Sequence, residues 1–336
     1  MTPSKILVTD HSWESLEVER AILHEAGVEL VTPRHGSEHE LIELAGDVAA
    51  IMTNWLQVNR AVLDAAPACL TVARYGVGVD NVDVEHASEL GIVVTNVPDF
   101  CTDEVAEHAL ALILALTRHI VPFARQTAGG GWDNVASGPI RRLRSQTLGL
   151  VGYGNLARAL AQRAQGVGMR VIAYSRSTSP GSESDGVEMC TLDDLLARAD
   201  VVSIHVPLTE QTRGMIGAAQ IAAMKPSAIL INTARGAVVD SAALASALAQ
   251  GQLAGAGLDV LPTEPPDRAD PLLAMEQVIV TPHAAAFSVE STIAVQQGAA
   301  RGVADVLGGR IPANVVNAEV LTSPRLRAAR LAGKER

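Results

Sequence analysis

The chain has 336 residues, of which 48% are hydrophobic, and a formal net charge of −11. That length and apolar content suit two globular domains with sizeable cores and exclude a disordered or fibrous chain. The acidic balance argues against nucleic acid or an anionic membrane as a partner, and the longest apolar run, residues 109–116, is far too short to span a bilayer.

Met1 leads almost directly into a predicted strand at 5–9, without the basic segment and apolar core of a signal peptide, so a cytoplasmic protein is expected. A helix at 14–26 is closed by Gly27, and a strand follows at 28–31. The rhythm continues with helices at 39–45, 60–65 and 84–90, alternating with strands at 49–53, 71–74 and 92–95. Such alternation implies a parallel sheet with helices on both faces. The strand at 71–74 runs into Arg74-Tyr75-Gly76-Val77-Gly78, whose glycine-flanked N–H groups suit an anionic substrate, with Trp55 after the preceding strand as a wall of the same site. Cys69, Cys101 and Cys190 show no CxxC or metal-ligand spacing. They read as buried small hydrophobes in a reducing compartment, and no metal site is expected.

Pro98 and a long helix at 102–121 mark a crossover into a second unit. This unit opens with Leu148-Gly-Leu-Val-Gly152-Tyr-Gly154-Asn155-Leu156-Ala157, a buried strand delivered into a glycine turn and a helix. Gly152 and Gly154 permit the tight turn and close approach of a pyrophosphate, Asn155 and Leu156 open the helix, and Ala157 takes the third small position of a dinucleotide fingerprint. A second strand at 170–174 follows at βαβ spacing. At its end the fingerprint places a carboxylate for the ribose hydroxyls. Here the chain reads Ser175-Arg176-Ser177-Thr178, with no acid before Glu183, which favours NADPH over NADH as the NAD(P)H form used.

Later strands at 201–205, 228–232, 255–259 and 278–281 alternate with helices at 192–198, 218–224 and 241–250. Three of these strands end in a reactive group: Arg235, Glu264 and His283. Ligands of open α/β sheets bind at the carboxyl ends of strands, so the three are expected to converge. Hydride addition to a ketone leaves charge on oxygen, which a histidine can neutralise with a proton near neutral pH. A carboxylate beside it holds the ring and favours its charged form, and a guanidinium fork suits the carboxylate of a 2-oxo acid. A final helix at 289–307 and a short segment at 314–316 are expected to return to the first domain. The basic tail from 325 to 336 is expected to be frayed.

These motifs, together with His205-Val206-Pro-Leu-Thr and Asn232-Thr233-Ala234-Arg235-Gly-Ala-Val-Val-Asp, resemble the D-2-hydroxyacid dehydrogenase family over nearly the whole chain. The likeness is greatest to the branch of phosphoglycerate-dehydrogenase-like proteins and C-terminal-binding-protein corepressors. It implies an α/β fold of two doubly wound parallel-sheet domains. A Rossmann-type cofactor domain, 99–285, is inserted into a flavodoxin-like substrate domain made of 1–98 and 286–336. It also implies a homodimer acting on a small 2-oxo acid, with His283 as acid/base, Glu264 as its partner and Arg235 as substrate anchor. Val77, Asn155, Leu156, Val206, Thr233, Ala234 and Asp259 fall where family members contact the cofactor. Two departures stand out: the chain ends soon after Val316, without the regulatory extension of long phosphoglycerate dehydrogenases, and Ala286 replaces the corepressors' tryptophan. The alternative expectation is a catalytically weak nucleotide-sensing interaction protein of the corepressor type. An anionic distal group on the substrate would use Arg74, with further positive charge from Arg141, Arg142 and Arg144.

Overall fold

A computed structural model of the protein describes residues 4–135 and 139–328. The chain divides into two compact units, residues 1–100 with 288–336 and residues 101–287.

The first unit is built from β1 (Ser4–Val8), α1 (Glu17–Leu23), β2 (Val28–Val31), α2 (Glu38–Ala45), β3 (Val48–Thr53), α3 (Arg60–Asp64), β4 (Thr71–Arg74), α4 (Val84–Glu89) and β5 (Val93–Thr95). All its strand pairs are parallel, in the order β2-β1-β3-β4-β5, the flavodoxin-like doubly wound arrangement. Alternate residues of each strand feed opposite cores. Leu7, Ile51, Val72 and Val94 pack with Leu41, Leu63 and Ala87, whereas Ile6, Val8, Met52 and Ala73 pack with Leu23, Val295 and Val303. This is why the strands read as continuous apolar runs.

The second unit contains α5 (Thr102–Thr117), α6 (Ile120–Ala128), β6 (Thr147–Val151), α7 (Asn155–Gly166), β7 (Arg170–Tyr174), β8 (Glu183–Ser184), β9 (Val187–Met189), α8 (Leu192–Arg198) and β10 (Val201–Ile204). It continues with α9 (Ala218–Ala222), β11 (Ile229–Asn232), α10 (Ser241–Ala249), β12 (Gly255–Leu258), α11 (Pro271–Ala274) and β13 (Val278–Val280). Its eight-stranded sheet has the order β13-β12-β11-β10-β6-β7-β9-β8, parallel except for the β8–β9 pair. Chain order reverses between β6 and β10, which is where a doubly wound sheet opens a crevice at its strand ends. The chain then returns to the first unit as α12 (Val289–Leu307).

Three expectations are corrected. The helix expected at 102–121 is broken: α5 ends at Thr117, His119 adopts φ +53°, and α6 leaves at 62°. Pro122 explains the break, because it has no N–H to continue the ladder and its ring crowds the preceding turn. The β8–β9 hairpin was not foreseen, since strands of two and three residues carry no readable period. Finally, the tail is not frayed over 325–328: the Arg327 N–H donates to Gly91 O (2.9 Å), its guanidinium to Ala66 O and Cys69 O (2.8 and 3.2 Å), and Leu326 and Ala328 are buried. The remainder of that tail, 329–336, lies outside the described residues.

No single helix among the described residues is long and apolar enough to cross a membrane.

Candidate active site

The cradle begins where β6 runs out. Gly152 sits at φ +96°, and a Cβ there would come within 2.7 Å of the His205 carbonyl oxygen and 3.0 Å of Val206, so both conformation and space demand glycine. Gly154 is the N-cap of α7, no side chain caps that helix end, and a Cβ on Gly154 would meet nothing within 4 Å. Ala157 is fully buried between Leu148, Leu150 and Ala161, the close helix–strand packing asked of the third small residue. An uncapped helix N-terminus under open space has free N–H groups and a positive dipole end that can receive an anion such as a pyrophosphate. The turn is pinned from the side by Tyr153, whose hydroxyl donates to Ser184 O (3.2 Å) and whose ring lies under the Arg158 guanidinium, 4.5 Å from its centroid. Just past β11 the Thr233 hydroxyl is buried without a hydrogen-bond partner, an opening that a bound dinucleotide can fill. Burial pulls His205 down to about 4, so this neighbour of the cradle stays uncharged at neutral pH.

Past β7, Ser175 Oγ lies 3.0 Å from Ser177 Oγ and accepts the Ser177 N–H (3.3 Å). Arg176 is exposed and has no acidic partner among the described residues. The segment from 175 to 182 that follows this strand contains no acidic residue.

The reactive groups gather on three successive strand ends. Asn232 folds the first turn: its Oδ1 accepts the Ala234 N–H (3.0 Å) and its Nδ2 donates to Arg235 O (2.9 Å). Arg235, partly buried, donates through Nη1 to Ala234 O (2.7 Å). A Cβ on Gly236 would collide with the Leu261 backbone, so this turn lies directly on the loop that carries Glu264. Glu264 Oε1 accepts the Leu261 N–H (2.9 Å) and Oε2 accepts from His283 Nδ1 (2.6 Å). Burial by itself would raise the Glu264 carboxyl. The hydrogen bond and charge of His283, the Leu261 N–H and the Arg235 charge outweigh it and hold the group below its ordinary value. The carboxylate is therefore ionised near neutrality, and His283 Nδ1 carries the proton between them.

His283 itself occupies the left-handed region, φ +52°, a conformation that costs a non-glycine residue ~1–3 kcal/mol and persists only when the surroundings impose it. Asp259 imposes it. Its carbonyl accepts the His283 N–H (2.9 Å), and its carboxylate accepts the N–H groups of Ala284 (2.8 Å) and Ala285 (2.9 Å) and the Thr281 hydroxyl (2.6 Å). With Asp259 only 1% exposed, its oxygens are spent on the His283 loop, a structural duty beside the cofactor contact expected from the sequence. Sequence reading missed one further residue of this network, His108 on α5. Its signal was available: His108 shares a helix face with buried Val105 and Leu112, where a polar side chain needs a partner.

In the first unit, the structure separates the residues expected around the substrate. The Tyr75 ring is core, set edge-on to Trp13 (4.8 Å between centroids), and its hydroxyl reaches Met52 Sδ (3.7 Å). The N–H groups of Tyr75 and Gly76 are committed to Thr53 O (2.8 Å) and Arg74 O (2.9 Å). Val77 and Gly78 are partly exposed, and no acceptor for their N–H groups appears among the described residues. Arg74 is 8% exposed and folds back on its own loop, while its Cζ lies 5.9 Å from the Trp55 ring centroid. Trp55 is 41% exposed and held by Nε1 donating to Ser12 Oγ (2.9 Å). Arg141, Arg142 and Arg144 are exposed on the second unit.

Comparison with known proteins agrees with this geometry. Residues 110–285 match the family model for the D-isomer specific 2-hydroxyacid dehydrogenase NAD binding domain. The chain is 41% identical to the glyoxylate reductase of Thermococcus litoralis over 84% of its own length and 88% of that protein. A solved protein from Thermus thermophilus superposes with a TM-score of 0.84 at 36% identity, covering 93% of this chain and 99% of that one. The NADPH-dependent glyoxylate/hydroxypyruvate reductase of Sinorhizobium meliloti, solved with NADP and malonate, gives 0.82 at 30% identity, covering 94% and 97%. A nucleotide cradle, a histidine–carboxylate pair beside an arginine, and relatives of this extent lead to one conclusion: the chain belongs to the D-isomer specific 2-hydroxyacid dehydrogenase family of oxidoreductases.

Proposed function

We propose that the protein reduces a small 2-oxo acid of the glyoxylate or hydroxypyruvate kind to its D-2-hydroxy acid, with residues 101–287 binding the nucleotide and carrying the acid/base pair. The observation that carries this reading is the 2.6 Å contact between His283 Nδ1 and Glu264 on a loop that lies against the Arg235 turn. The reduced nicotinamide supplies the hydride. Arg235 pairs with the substrate carboxylate and fixes which carbonyl carbon is presented. Glu264, kept ionised, holds His283 Nδ1–H and stabilises the imidazolium, so Nε2 is the atom that hands a proton to the carbonyl oxygen. After that transfer the ring is left neutral with its proton on Nδ1. The experiment is steady-state reduction of glyoxylate and hydroxypyruvate: His283→Ala is expected to lose about 10²–10⁴-fold in kcat with cofactor affinity kept. Near-normal turnover in that variant overturns the role.

The finer reading is NADPH in preference to NADH. It is supported by Arg176 and the hydroxyls of Ser175 and Ser177 at the end of β7, where a 2′-phosphate finds a cation and donors and no opposing carboxylate. Arg176→Ala is expected to cut kcat/KM with NADPH roughly tenfold and leave NADH nearly unchanged. An NADH preference in the wild type that survives this substitution refutes it. The exposed apolar side chains of Ile120, Trp132 and Val135 support the expected homodimer.

A further inference from the structure

His108 is the outer end of a hydrogen-bonded chain that leads to the His283 backbone. Its Nε2 lies 3.0 Å from Thr281 Oγ1 and 3.5 Å from Asp259 Oδ1. A hydroxyl has one proton to give. At 2.6 Å from Asp259 Oδ1, which also accepts the Ala284 N–H, that proton must point at the carboxylate, since two acceptors would repel at such a distance. Toward His108 the Thr281 oxygen can therefore only accept, and Nε2 of His108 carries the hydrogen.

Each link then has a direction. His108 donates to Thr281, Thr281 donates to Asp259, and Asp259 collects the N–H groups of Ala284 and Ala285 through its side chain and of His283 through its carbonyl. What this chain fixes is the left-handed backbone of His283, and so the aim of the imidazole at both Glu264 and the substrate. Without the His108 donor, the Thr281 oxygen loses its outer partner, its own bond to Asp259 is no longer polarised from behind, and Asp259 Oδ1 loses the nearby Nε2, so the carboxylate is held less firmly in the plane of the loop N–H groups. Hydrogen bonds in such a chain polarise one another, so the far end feels the loss.

We infer that His108 is a positioning residue for the proposed acid/base His283, acting through Thr281 and Asp259. The inference rests on the proposed role of His283. It is tested with three variants. In His108→Gln the amide nitrogen falls near the place of Nε2. In His108→Asn it falls short, at the place of Nδ1, and in His108→Leu the donor is gone.

The first readout is independent of activity: amide hydrogen exchange at Ala284 and Ala285 in the full-length protein. Exchange is expected to speed up about tenfold in the Asn and Leu variants and to remain near wild type in the Gln variant. Equal exchange in all four proteins overturns the inference. The second readout is turnover of glyoxylate. kcat is expected to fall about tenfold in the Leu and Asn variants, with KM and nucleotide affinity within twofold of wild type and most of the rate restored in the Gln variant. A uniform fall in all three variants, with thermal stability, assigns His108 to packing alone and also overturns the inference. Should the wild type turn over no 2-oxo acid, the functional reading fails while the exchange result still decides the positional one. Should the Leu variant not fold, the Asn and Gln pair carries the same comparison.

Discussion

The two glycine loops that follow β4 and β6 look alike in sequence and differ in what fills them. Gly76 stands at φ +147° with the Arg74 guanidinium packed where its Cβ would be, so that loop is closed by its own side chain. Gly154 lies over nothing within 4 Å, beneath it a helix end that no side chain caps, so that turn is left open. A glycine can thus be required because the protein has used the space or because it has kept the space vacant. Only the second kind makes a place for a ligand, and a sequence motif does not separate the two.

Substitution separates them. Gly76→Ala and Gly152→Ala meet both strain and a neighbour, and each is expected to lower the melting temperature of its unit by about 5 °C or more, measured by calorimetry. At Gly76 the obstruction is a side chain, so adding Arg74→Ala restores part of the loss. At Gly152 the obstruction is the His205 backbone, and no second substitution relieves it. If Arg74→Ala gives no relief, the picture of a self-filled loop is wrong.

Gly154→Ala provides the opposite case. With an ordinary φ of −91° and open space, folding is expected to be unchanged within ~0.5 kcal/mol, while the new methyl intrudes on the cradle and weakens nucleotide binding roughly tenfold by titration calorimetry. A stable variant with unaltered affinity removes the pyrophosphate from this turn.

The smallest effect concerns pH. Because Glu264 titrates below its ordinary 4.5 in the folded protein, its stabilising contribution is complete above that value and fades as pH falls through the lowered one. Glu264→Gln is expected to flatten this acid limb of the stability curve by lowering stability modestly above pH 6, where the wild type has the whole contribution, and leaving the acid end little altered. An unchanged acid limb contradicts the ionised His283–Glu264 pair.

Much of this was legible from the residues. Strand ends announced themselves through apolar runs stopped by Arg74, Gly152, Asn232 and Thr281, and α12 begins and ends where its pattern does. The three reactive side chains were found because each follows such a strand. What escaped depended on contacts far apart in the chain. His108 gains meaning only when Thr281 is placed against it, and the Arg327 docking site is made by carbonyls of Ala66, Cys69 and Gly91. Tyr75 was misplaced for the same reason: position in a loop does not say which way a ring turns, and here it turns into the core against Trp13.

The return of the chain to its first unit sets a timetable for synthesis. Val316 donates to Val94 O, Asn317 accepts the Val94 N–H and donates to Ile92 O, and Arg327 donates to Gly91 O, so the edge of the five-stranded sheet is sealed by residues translated after the second unit. The face of that sheet against which Leu23 of α1 packs likewise waits for α12, whose Val295, Ala299 and Val303 complete its core. A nascent chain emerging from the ribosome therefore carries a half-covered sheet with a naked β5 edge until about residue 328 is made, whereas residues 101–287 are contiguous and can fold as soon as they appear. Ribosome stalling or premature termination after the second unit would release a nucleotide-binding half that is sound, tethered to a sheet edge ready to pair with its neighbours.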